Sequence, residues 1–108
     1  MLLNIMKGYI MAREHTKQAI IDWGFDYCRE NAVYDGELDL ENIGSMNVGE
    51  IIDSLGMLTL LMEAEYEFFD DEVIDNDVVR EWTSNLNTTT VEQFFEKIWY
   101  YLENEWQK

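Results

Sequence analysis

A chain of 108 residues that is 47% apolar, with four Trp, six Tyr and five Phe, holds one domain with a single modest core, and its composition excludes disorder. A net charge of −16, from 23 acidic and seven basic residues, excludes nucleic acid and anionic membrane surfaces as partners, since both need clustered Lys or Arg; a basic patch on a partner protein is the natural complement. Cys28 is the single cysteine, which excludes a disulfide framework within the chain, and no apolar run approaches the ~20 residues of a membrane span.

The first residues, Met1 to Lys7, lack the ordered charged, apolar and small-residue regions of a signal peptide, so a cytoplasmic protein is expected. Met11 is an equally good start. Residues 1–11 read as an N-terminal extension and residues 12–108 as the domain.

Proline is absent and no alternating strand pattern is sustained, whereas helical spacing recurs three times. The first helix is expected from about Ala12 to Arg29, with Ile20, Trp23 and Tyr27, flanked by Ile21 and Phe25, as its apolar stripe. Gly24 inside the stripe argues against an unbroken helix, at about 1 kcal/mol relative to Ala. Glu30 to Glu50, with Asp35-Gly36, Gly44 and Gly49, reads as a long loop with at most one short turn, pinned to the core by Val33, Leu38, Leu40, Ile43 and Met46.

The second helix is expected from Ser54 to about Phe69, with Asp53 as its N-cap. Met57, Leu60, Leu61, Ala64 and Phe68 then fall on one face. After the acidic link Asp70-Asp71-Glu72, the spacing of Ile74, Val78, Val79 and Trp82 predicts a short third helix. The last helix opens at Thr89 or Thr90, where Thr89 and Glu92 have capping-box spacing, and Val91, Phe95, Ile98 and Leu102 form its buried stripe, widened by Phe94 and Tyr101. The expected fold is all-α: a small antiparallel bundle of three main helices plus one short helix.

Asp53-Ser54-Leu55 and the run behind it carry the functional reading. On its own Asp53-Ser54 is also an ordinary helix start. In context, the triplet, the apolar phasing of the following helix, its ending Glu65-Tyr66-Glu67-Phe68 and the opening Thr89-Thr90-Val91 of the last helix together resemble the acyl carrier protein family. The resemblance covers about Thr16 to Leu102.

That resemblance implies an acyl-carrier-like fold and a covalent 4′-phosphopantetheine arm on the hydroxyl of Ser54, taken from coenzyme A by a phosphopantetheinyl transferase, with Asp53 capping and positioning the site. The terminal thiol of the arm would hold an acyl or aminoacyl group as a thioester. A ligase or adenylating enzyme would load it, and an acyl or aminoacyl transferase or synthase would unload it. The physical demands agree with the position, because a loop-to-helix junction is open to several enzymes and a helix N-terminus favours an anion such as the phosphodiester. Leu55, Leu58 and Met62 lie off the core stripe and form an expected partner-binding strip rimmed by Glu63 and Glu67; the alternative for Leu58 and Met62 is that they widen the buried face.

The chain departs from fatty-acid carriers in having Gly56 and Thr59 where acidic residues are usual, and Ile51 where a Gly is usual. Ile51-Ile52-Asp53-Ser54-Leu55-Gly56 is closer to D-alanyl carriers and to stand-alone carriers of specialised biosynthesis. No catalytic or metal-ligating constellation is visible, so the chain is read as a non-enzyme; separately, a monomer is expected. His15, the only histidine, reads as a solvated helix residue and Cys28 as a packed apolar one. The acidic stretches Asp35 to Glu41 and Asp70 to Asp77 lack the Gly and Glu positions of a calcium loop. Trp99, Trp106 and the terminal tyrosines read as core or as a self-association face. The rival functional reading is an interaction module that keeps the fold and is never modified.

Overall fold

The computed structural model describes residues 15–33 and 40–106. The expected extension 1–11, the predicted helix start at Ala12, and the predicted anchors Leu38 and Leu40 (for its side chain) lie outside the described residues. Five α-helices are present among the described residues: α1 (Lys17–Asn31), α2 (Val48–Ile51), α3 (Ser54–Phe68), α4 (Asn76–Thr83) and α5 (Val91–Asn104). Two 3-10 segments, Leu40–Ser45 and Leu86–Thr88, complete the regular structure, and no strand is formed among the described residues. None of these helices is long and apolar enough to cross a membrane.

α1 starts later than its apolar pattern implies. Thr16 is extended and its hydroxyl accepts the Ala19 amide at 3.0 Å, so the helix begins only at Lys17, and it runs unbroken through Gly24 to Asn31. Its most buried line is Ile20, Ile21, Gly24 and Cys28, with Trp23, Phe25 and Tyr27 packed at the margin. The predicted stripe is therefore rotated by about one position. Gly24 is the reason: without a side chain it admits the Phe95 ring of α5, where a Cβ would overlap ring carbons.

The segment expected as a loop carries more structure than its glycines imply. Ile43 is fully buried and Met46 packs at the core edge, as expected, but the Val33 side chain is 53% exposed and that residue is held through its backbone, its amide donating to Ile51 O at 2.9 Å. An isolated antiparallel bridge joins Asn47 to Thr90, with Val48 N–H donating to Thr89 O and Val91 N–H donating to Met46 O, each at 2.9 Å. This ties the approach to α3 onto the start of α5.

The α5 cap sits one residue beyond the predicted box. Thr90 accepts the Gln93 amide at 3.1 Å while the Gln93 side chain accepts the Thr90 amide at 3.0 Å. Thr89 is buried, and its hydroxyl donates to Asn85 O at 2.7 Å, which takes it out of the capping role. α4 likewise starts after Ile74, at a cap formed by Asp75.

Aromatic side chains join the long helices. Trp23 meets Phe68 of α3 and Phe95 of α5 edge-on, and Trp82 of α4 does the same with Phe94 and Tyr101 of α5. Beyond α3, Phe69 is fully buried against Tyr101 and Trp106, which assigns Trp106 to packing.

Candidate functional site

Ser54 is exposed and is the first residue of α3. What places it is the pair before the helix. Ile51 and Ile52 are buried, which anchors the chain immediately upstream, and Asp53 then turns outward in an extended conformation. The Asp53 carboxylate accepts the Gly56 amide at 2.7 Å, and its carbonyl accepts the Met57 amide at 2.8 Å. The predicted N-cap is thus formed. Gly56 has a steric role there: a Cβ would stand 2.9 Å from Ile52 Cγ2 and 3.2 Å from the capping oxygen Asp53 Oδ1. The first turn of α3 has no acidic residue, so beyond the cap itself no carboxylate of that turn opposes an anion.

Two recesses flank Ser54. One, of about 340 Å³, is largely apolar, formed by Met57, Leu58 and Leu61 of α3 with Val79 and Thr83 of α4 and Leu86. The other, of about 510 Å³, is more polar, with Asp53 and Ser54 facing Ser84, Asn85, Asn87 and Thr88. Gly49 lets Asn87 close onto α2, since a Cβ there would overlap Asn87 Oδ1. The contributions of Thr83, Asn85, Leu86 and Asn87 were not legible from the sequence, because they reach Ser54 only through the packing of α4 and the turn behind it.

The other predicted residues separate by face. Met57, Leu60, Leu61, Ala64 and Phe68 are all buried. Leu55 is 74% exposed, Leu58 60% and Met62 67%, so all three lie outside the core. Tyr66, 66% exposed and four residues after Met62, extends the same strip; helical spacing alone places it there. Glu63 and Glu67 are exposed on its flank. Glu65, by contrast, turns to the protein: its Oε2 accepts the Ile74 amide at 2.9 Å.

Neither His15 nor Cys28 serves Ser54. His15 precedes α1, is half-buried, and meets Phe68 edge-on at 4.9 Å, so it is not the solvated helix residue its sequence position implies. Phe68 ends α3, roughly 20 Å from Ser54 at 1.5 Å per residue. Burial pushes the Cys28 thiol up to about 12, so it is a packed neutral group at ordinary pH. Among the described residues no cluster of three or more His, Cys, Asp or Glu could hold a metal ion. The site therefore holds an exposed hydroxyl with no imidazole beside it. No protein-family model, curated protein or solved structure matches the chain.

Proposed function

We propose that the protein is a carrier that holds an acyl or aminoacyl intermediate on a 4′-phosphopantetheine arm attached to Ser54. The observation that carries the reading is the exposed Ser54 hydroxyl at the capped start of a 15-residue helix, between an apolar and a polar recess. The residues fit such a group. The hydroxyl is open to a transferase, the first-turn amides and helix dipole favour a phosphodiester, and the flanking recesses suit an arm with both amide and alkyl portions. When attached, the arm supplies a thiol for thioester formation.

Attachment forms a bond from Ser54 Oγ to the phosphorus of the phosphopantetheinyl group, with loss of the hydroxyl proton and of the remainder of coenzyme A. The chain itself holds and presents. Asp53 fixes the direction in which Ser54 leaves the fold, and a tether raises the effective concentration of the intermediate at each partner. Leu55, Leu58, Met62 and Tyr66, flanked by Glu63 and Glu67, form the surface on which a phosphopantetheinyl transferase, a loading ligase or adenylating enzyme and an unloading transferase or synthase would dock. An apolar centre with a charged rim is the usual anatomy of such contacts.

Intact mass after co-expression with a broad-specificity phosphopantetheinyl transferase tests the reading. The wild type should gain one phosphopantetheinyl group and Ser54→Ala none. No gain on the wild type, or an equal gain on Ser54→Ala, would instead favour an unmodified interaction module.

A further inference from the structure

α4 and α5 enclose a recess of about 330 Å³ that shares no lining residue with the two recesses at Ser54. It has an aromatic interior. Buried Trp82 forms one wall and Tyr101 another, their rings at 89° with centroids 5.5 Å apart, so they make a corner and not a stack. Tyr100, 55% exposed, supplies a third ring. The charged groups lining this recess are the carboxylates Glu81, Glu96 and Glu105 and the ammonium of Lys97.

Aromatic faces attract cations within about 6 Å of the ring centroid, and nearby carboxylates add to that attraction. The adjoining surface of α5 already holds a cation in this way. Lys17 Nζ lies 5.6 Å from the Trp99 ring centroid and 3.1 Å from Glu96 Oε2. With Glu96 so engaged, Glu81 and Glu105 still outnumber Lys97 around the Trp82–Tyr101 corner.

We propose that the α4–α5 recess is a docking site for an arginine side chain of a basic partner protein. A guanidinium is planar and weakly hydrated, so it can lie against a tyrosine ring while its N–H groups donate to Glu81 and Glu105. The net charge of −16 draws a basic partner toward the chain, and the aromatic corner gives that long-range attraction a specific seat. The site does not depend on modification of Ser54.

The test is a titration of the full chain with N-acetyl-arginine amide, followed by the Trp82 indole N–H and the backbone amides in 15N–1H correlation spectra. N-acetyl-citrulline amide serves as the uncharged control. Saturable shifts centred on Trp82, Tyr100 and Tyr101 are expected with arginine and not with citrulline. Tyr100→Ala and Glu105→Gln, both at exposed positions, should each weaken binding by about fivefold, Lys97→Gln should tighten it, and Ser54→Ala should leave it unchanged. Shifts scattered over the acidic surface without saturation, an equal response to citrulline, or undiminished binding by Tyr100→Ala would overturn the site. Tighter binding of tetramethylammonium than of the arginine derivative would overturn the assignment to arginine.

Discussion

Gly24 of α1 lies so close to the Phe95 ring of α5 that a Cβ at position 24 would stand inside van der Waals contact of Phe95 Cδ2. Replacing it sets two effects against each other. Alanine adds about 1 kcal/mol of helix propensity, while an extra methyl in a filled core costs about 1–3 kcal/mol. Phe95 is fully buried and has no room to swing aside, so packing should win. Gly24→Ala should lose up to about 2 kcal/mol in urea denaturation, and adding Phe95→Leu should recover part of it. A net gain on Gly24→Ala would show that α1 and α5 can separate at this point.

Alkaline stability follows from Cys28. Burial raises the thiol from its ordinary 9.0 to about 12, against a smaller opposing pull from Arg29. Above 9.0 the unfolded chain therefore loses a proton that the folded chain retains. The contribution is fully present below 9.0 and is lost as pH rises toward about 12. Tyr27, raised chiefly by burial and then by Glu63, acts in the same direction. Urea midpoints measured across this window should fall less steeply for Cys28→Ala than for the wild type. At neutral pH the native thiol should resist alkylation until urea is added.

Glu65 and Glu67 stand two residues apart and should respond in opposite ways. Glu65 closes the turn after α3, its carboxylate accepting the Ile74 amide and its carbonyl accepting the Phe69 and Asp71 amides. Ile74 is only 1% exposed, so losing the acceptor strands an amide beside the core. Glu65→Ala should cost about 1–2 kcal/mol, with Glu65→Gln recovering much of that, while Glu67→Ala stays within about 0.5 kcal/mol. Thermal unfolding of the three variants decides it.

The two faces of α3 give a further contrast. Leu60→Ala, at a fully buried position, should lose about 2–5 kcal/mol, whereas Met62→Ala should change stability by less than about 0.5 kcal/mol. If the exposed strip is the docking surface of a carrier, Met62→Glu should slow modification of Ser54 while leaving the unfolding curve in place. Unaltered modification kinetics would remove this strip from transferase recognition.

The sequence by itself determined what depends on neighbours a few residues away. Asp53 as the cap of α3, the buried face from Met57 to Phe68 and the exposure of Leu55 all follow from helical spacing and one side-chain-to-amide bond. Local spacing also offered two cap registers for α5. Only the tertiary structure chose between them, because the bridge from Asn47 to Thr90 and the bond from Thr89 to Asn85 leave Thr90 free to cap and Thr89 not.

The tertiary structure likewise decided the rotation of α1 about Gly24, the inward role of Glu65, and which residues of α4 and the following turn line the recesses at Ser54. Each depends on residues brought together from distant parts of the chain or across a sharp turn, where the energy lies in fitted shape and satisfied amides and leaves no periodic trace.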